Sequence, residues 1–316
     1  MNQANQFFIS YYQSKEFNVY RIFLPSFYIF NIFAISSIMK QNLYLGGQNM
    51  LSINQLIKYL RNHHHITVKS NQAQSLRNIG YYHGYKGYRF IRTPNQRIPF
   101  SSLDEVIALN KFDMQLKTTI YPKVMFIENA LKSYVIETVL HDCHSENLDT
   151  IFNKSITDYK SYTPGSQQYH KQYAKRMTLK GKINNALLRD YSNKKQTVNH
   201  FFNADQPIPI WAIFESLTLG EFGTFFACSN SNVKLKTSSI LHLPSNIDTD
   251  GKITEYIIYA IKDLRNAVAH NNTIFDTRFQ TSTINNRLVF LLESEVGITG
   301  LDFKYIYAYI VLITYV

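Results

Sequence analysis

The sequence holds little acid, little cysteine and few loop-punctuating residues, and each shortage excludes something. Asp plus Glu number 22 against 33 Lys plus Arg in 316 residues, a surplus of +11. Such a chain does not suit polycationic partners and attracts polyanions, without saying which. Two cysteines, Cys143 and Cys228, exclude a disulfide-stapled scaffold and fit a reducing cytosol. With Gly 12 and Pro 8 the chain is neither collagen-like nor a low-complexity linker. Long apolar runs are also missing. The nearest, Ile22 to Met39, is broken by Pro25, Asn31 and serines, and falls short of the roughly 18 to 20 apolar residues of a spanning helix. Nor does it offer a convincing signal-peptide cleavage site.

What the chain has is apolar mass. Hydrophobic residues make up 45%, with Tyr 23 and Phe 22, enough for one large core or two modest ones. Plentiful Asn, Ile, Lys, Tyr and Phe point to AT-rich coding, which discounts part of the lysine surplus. Three readings of the first residues stay open. A translation start at Met39 or Met50, or a disordered extension, is preferred over a membrane-associated helix at residues 22–38 or a packed helix.

From Leu51 helical signals dominate. Ser52 caps a pattern of Ile53, Leu56, Ile57 and Leu60. Ser102 precedes Val106, Leu109, Phe112, Leu116 and Ile120; Pro122 then starts or kinks a second helix bearing Val124, Ile127, Leu131, Val135 and Val139. Gly80 to Phe100 reads as a structured loop, Tyr159 to Asn199 as a basic polar stretch, and Asn230 to Asp250 as a connector. Pro207 and Pro209 open a helix through Trp211, Phe214 and Leu217, with Trp211 and Phe214 expected in the core. A helix from about Thr254 to His270 carries Ile257, Ile261, Leu264 and Val268 as a buried stripe. An apolar helix follows from Asp302. No repeat is visible, strand signals are weak, and the expected class is all-α.

The chemistry sits on the Thr254–His270 helix, in DLRNAVAHNN. Two asparagines after His270 are expected C-caps, placing the histidine at the helix end. Histidine is the side chain suited to proton transfer near neutrality. Arg265 and His270 stand five residues apart, so at about 100° per residue they point roughly 140° apart around the axis. Asn266 and His270, at i and i+4, share a face. A site using both arginine and histidine is easier to build where two such helices meet, so a two-fold dimer is expected. An arginine with a histidine, and no carboxylate ligand set, points to metal-free phosphodiester chemistry. An RNA 2′-OH would attack phosphorus, His270 would move protons and Arg265 would stabilise the added charge. The plain alternative is an ion pair of Arg265 with Asp263 or Glu255 and an end-capping His270. Similar spacing recurs at Arg77, Asn78 and His83, where Gly80 interrupts any helix, and that set is expected to be structural.

DLRNAVAHNN resembles the Arg-Asn-x-x-x-His motif of HEPN ribonucleases. The chain around it resembles the abortive-infection (Abi) family of anti-phage proteins, AbiD/AbiF type. The likeness rests on ordered blocks: SINQLIKYLRNHHHI, SLRNIGYYHGYKGYRF, FDMQLKTTIYPKVMFIENALKSYV and PIPIWAIFESLTLGEFGTFF before the motif. It covers Leu51 onward. The resemblance implies an all-α, HEPN-like helical bundle with an N-terminal helical and loop subdomain. The expected partition is an unassigned extension at 1–48, the subdomain at 49–100 and the HEPN-like domain at 101–316.

It further implies a cytoplasmic, metal-independent endoribonuclease that needs no cofactor and dimerises through its motif helices. The catalytic roles fall to Arg265, Asn266 and His270, with Glu128 supporting the arginine and a family-typical positive residue at Lys132. Such an activity needs restraint, implying an RNA or protein antagonist in a toxin–antitoxin arrangement. Expected RNA contacts are Lys86, Arg89 and Arg92 in the tyrosine block, where aromatics interleave with cations, and Lys171, Lys175 and Arg176 in the basic stretch. The triplet His63 to His65 points in three directions, and the cluster at His141 to His144 lacks a second pair at zinc spacing, so no metal site is expected. The rival reading is an HEPN-like protein that holds a structured RNA without cutting it.

Overall fold

The computed structural model describes residues 51–89, 97–275, 279 and 284–316. The apolar stretch at 22–38 and Arg92 lie outside them. The chain divides into two compact units, Met1–His65 and Ile66–Val316. In the first, helix α1 (Ile53–His64) starts at Ser52, whose side chain and Gln55 cap each other's backbone N–H groups. It buries Ile57 and Leu60.

The second unit is all-α. Short α2 (Ala73–Ile79) ends at Gly80, whose φ of 74° breaks the helix. The tyrosine block beyond it is not an open loop. It winds through a π-helical turn (Gly80–Lys86) and a short α-helical turn (Gly87–Arg89), because Tyr81, Tyr85 and Tyr88 all turn inward to bury their rings.

The two helices expected on either side of Pro122 are one 41-residue helix, α3 (Leu103–Cys143). Proline removes one backbone donor, but Pro122 and Thr118, whose carbonyl loses it, are both exposed, so the carbonyl stays open to solvent and the break costs little. The second half of the apolar pattern holds, with Val124, Ile127, Leu131, Val135 and Val139 all buried. In the first half Val106 and Ile120 are buried and Leu109 and Leu116 half-buried, as expected. Phe112 is the exception at 54% exposed, and two further inward positions belong to Asp113 and Lys117, which pair with each other at 2.6 Å.

The remaining helices are α4 (Leu148–Lys154), α5 (Gln167–Ser192), α6 (Gln196–Asn203), α7 (Ile210–Ser216), α8 (Leu219–Cys228), α9 (Ser231–Ile240), α10 (Lys252–Ala269), α11 (Asn286–Val296) and α12 (Ile306–Tyr315). Helix α9 occupies the stretch expected to be a connector. Asn230 caps it, and its inward face is largely polar and internally satisfied: Lys234 with Asp158 at 2.6 Å, Thr237 with Thr138, and Ser238 with Asp248. Phe214 is core, but Trp211 is 41% exposed and meets Phe201 edge-on. On so short a helix Ile210, Ile213 and Phe214 take the inward side.

Helix α10 is the centre of the unit. It packs against α3, α8, α9, α11 and α12. The expected stripe is buried, with Ile257, Ile261 and Leu264 at 0% exposure and Val268 at 8%. A side chain on this helix is therefore placed by five neighbours, not by local propensity.

Candidate active site

The start of α10 is fixed by two aspartates and a glycine. Asp248, buried, accepts from the Ile253 N–H at 3.0 Å and the Ser238 hydroxyl at 2.6 Å. Arg287 of α11 donates to Asp250 at 2.9 Å and to the Ile247 carbonyl at 2.7 Å. Gly251 has φ of 69°, and a Cβ there would stand 2.6 Å from the Lys234 backbone carbonyl carbon. Only glycine fits both demands.

Near the other end, Arg265 leaves the helix toward α3. Its Nε lies 3.5 Å from Glu128 Oε2, and its Nη1 donates to Asn266 Oδ1 at 3.3 Å. Glu128 Oε1 accepts from Lys132 Nζ at 3.0 Å, and Lys132 also donates to the Leu217 carbonyl at 3.3 Å. One buried carboxylate thus faces two cations, one on its own helix and one on α10. Glu128 Oε2 and Arg265 Nε are both shut from water and neither makes a hydrogen bond. The arginine faces Glu128 by charge with its Nε uncommitted, and its side chain is 35% exposed. The carboxylates on its own helix serve other cations: Asp263 faces Lys262 at 2.7 Å and Glu255 faces Lys175 at 3.5 Å.

His270 is the C-cap of α10, in the position the two asparagines indicate. Asn271 follows with φ of 54°; its N–H donates to the Val268 carbonyl at 3.1 Å and that of Asn272 to Ala267 at 2.8 Å. These two bonds are a Schellman ending. The His270 side chain is exposed and has no hydrogen bond or ion pair among the described residues. The structure therefore brings Arg265, Asn266, Glu128 and Lys132 together, and sets His270 one turn beyond them on the open end of the helix.

The segment leaving α10 is clamped by Asp113. Its Oδ1 accepts from the Ile274 and Phe275 N–H groups at 2.9 and 3.0 Å, and its Oδ2 from the Tyr88 hydroxyl at 3.1 Å. Lys117 donates to Asn271 Oδ1 at 2.7 Å, and Asn271 Nδ2 meets His83 Nε2 at 3.1 Å. The similarly spaced pair at 77 and 83 is split. Arg77 donates to Gln74 on its own exposed helix face at 3.3 Å, while His83 reaches the motif turn. Asp113 and Lys117 escape a reading that assigns polar residues to the surface. Their signal was phase: positions 113, 117, 120, 124 and 127 form one helical face, with a charged pair inside an otherwise apolar row.

The expected RNA contacts divide by what already holds them. The Lys86 ammonium lies over the Tyr81 and Tyr82 rings at 5.4 and 5.2 Å, and the Arg89 guanidinium over Tyr85 at 5.5 Å. Arg176 donates to the carbonyls of Ile156 and Phe152 at 3.0 and 2.9 Å and sits among the Phe152, Tyr159 and Tyr173 rings. Burial works against the charged form of Lys175, but the Glu255 carboxylate holds it above its ordinary value. Lys171 is exposed and makes no ion pair among the described residues.

Both cysteines are free and buried, and burial pushes the Cys228 thiol up to about 11. That thiol is no nucleophile near neutrality. Among the described residues no group of three or more His, Cys, Asp or Glu side chains could hold a metal ion, and no helix is long and apolar enough to cross a membrane.

An all-α protein, built around a central helix that ends in an arginine, an asparagine and a histidine, is the class that fold and site define. Residues 74–276 match the family model of Abi-like proteins, and the chain belongs to that family. Membership places it among abortive-infection proteins, which act in defence against phage. No curated protein and no solved structure matches the chain.

Proposed function

We propose that the protein is an endoribonuclease of HEPN type, acting without a metal, with Arg265, Asn266 and His270 as its catalytic residues. The observation that carries this reading is the Arg265 setting. A buried carboxylate faces the guanidinium at 3.5 Å without bonding it, on a helix whose last turn presents an open histidine.

In the reaction the RNA 2′-oxygen forms a bond to the adjacent phosphorus and the bond from phosphorus to the 5′-oxygen breaks. The products are a 2′,3′-cyclic phosphate and a 5′-hydroxyl. An imidazole of His270 takes the proton from the 2′-oxygen, and an imidazolium returns one to the 5′-oxygen. Arg265 stabilises the extra charge on the phosphoryl oxygens. Asn266 shares the His270 face of the helix and contacts a phosphate oxygen or the ring. DNA, lacking the 2′-hydroxyl, is not cut.

Arg265 leans into the protein while His270 faces out, so pairing two motif helices in a homodimer supplies both groups to one cleft. The surplus of +11 favours RNA at that cleft electrostatically. Control in the cell falls to an RNA or protein antagonist.

The test is purified wild type against His270→Ala on total RNA in EDTA, with end-group analysis. Cyclic-phosphate ends made by wild type alone are the expected outcome. Equal cutting by both proteins removes His270 from the reaction; no cutting by either removes the enzyme reading, and retention of uncut RNA then favours a protein that holds RNA.

A further inference from the structure

The polar chain beside the motif has no role in the reaction as described. It begins at Asp113, at 0% exposure on α3, which pairs with Lys117 at 2.6 Å. It passes through Asn271 and ends at the exposed residue His83. Donor chemistry sets every polarity along it. An ammonium has only hydrogens to give, so the Asn271 side-chain oxygen faces Lys117 and its NH2 group faces His83. A ring nitrogen that meets an NH2 group must be bare. With the chain closed, His83 is neutral and carries its proton on Nδ1.

The surroundings agree with that polarity. Partial desolvation of the ring where it meets the motif turn, and after it the Lys117 charge, lower the His83 pKa from the ordinary 6.5; the Asp113 charge and the Asn271 backbone oppose them without winning. Those two charges come from α3. On the turn after α10 the titratable neighbour in sequence is His270. On the segment of His83 itself, Lys86 is held over the Tyr81 and Tyr82 rings.

We propose that His83 is a positioning residue for His270: its neutral ring locks Asn271, on which the turn beyond His270 closes, and its protonation releases that turn. Asn271 is suited to be the lock. Its backbone takes the left-handed conformation that ends α10, and its side chain is gripped at both polar ends. A protonated His83 has two N–H donors and no acceptor for the Asn271 NH2 group, and it adds a like charge beside Lys117. The last link then opens while Asp113 still holds Ile274 and Phe275. The effect on cleavage rests on the ribonuclease reading; the lock itself does not.

Full-length wild type, His83→Gln and His83→Leu are compared by hydrogen exchange over residues 266–275 without RNA, and by cleavage of a labelled RNA, from about pH 5 to 8. Wild type is expected to protect the turn near neutrality and to lose protection on acidification. His83→Leu, which has no acceptor, exchanges fast throughout and cuts about ten- to a hundred-fold slower in kcat with KM unchanged. His83→Gln offers an oxygen that accepts the same hydrogen and does not titrate. It keeps protection at acid pH and cuts at near the wild-type rate at neutrality.

Equal protection in wild type and His83→Leu, or loss of protection in His83→Gln on acidification, overturns the proposal. The expected exchange pattern with uncut RNA keeps the lock and removes the ribonuclease reading. Cut RNA with an exchange pattern indifferent to residue 83 does the reverse.

Discussion

Glu128 is a single side chain on which two helices depend. It lies 5% exposed between Lys132 and Arg265, so losing its charge leaves two cations facing each other. Glu128→Gln is expected to lower cleavage sharply, because Arg265 is no longer aimed by an opposite charge. The cost in stability is about 1–3 kcal/mol, discounted from a fully buried pair because Arg265 is a third exposed. Urea unfolding beside kcat measurements checks both. A cleavage loss no larger than the unfolded fraction would reduce Glu128 to packing. His83 enters the stability balance with the opposite dependence on acid. Its folded pKa is lowered, so the unfolded chain binds the proton more readily. Stability should fall as pH drops from about 6.5 toward the lowered value, and His83→Gln should flatten that slope in melts taken across the window.

Helix α10 was legible because its burial is apolar and periodic: Ile257, Ile261, Leu264 and Val268 repeat at helical spacing, and the asparagines after His270 mark its end. The catalytic candidates were legible for the same reason, since they sit on that helix by number. Helix α9 and the charged pair within the first half of α3 were not. There inward positions go to Lys234, Thr237, Ser238, Asp113 and Lys117, and polar residues that satisfy one another across helices resemble surface in one dimension. Continuity through Pro122 was hidden differently, because whether a lost hydrogen bond matters depends on which side faces water. Gly251 was unremarkable in sequence and is decisive in space. Gly251→Ala is expected to destabilise by about 1–3 kcal/mol, through a left-handed backbone and a contact with Lys234. A denaturant midpoint shifted by less than a tenth of a molar would contradict this.

For the whole molecule, the surplus of +11 overstates what is free to meet a polyanion. Lys175, Lys234 and Lys117 each face a carboxylate, and Arg176 is held by two carbonyls and three rings. Lys171→Ala is expected to reduce the slope of log affinity against log salt by about one unit for RNA, as loss of one phosphate contact does. Arg176→Ala should leave that slope alone and cost about 1–3 kcal/mol of stability instead. Filter binding over a salt series, with thermal melts, separates the two.

The burial of α10 on five sides also has a genetic consequence. Substitutions at its buried positions are expected to destabilise the fold, whereas His270, exposed at its end, can be changed without disturbing the core. On the proposed ribonuclease reading, in a population selected for escape from self-toxicity, soluble full-length escape alleles should therefore concentrate at His270 and its near neighbours, while alleles along the buried stripe should be recovered as degraded chains.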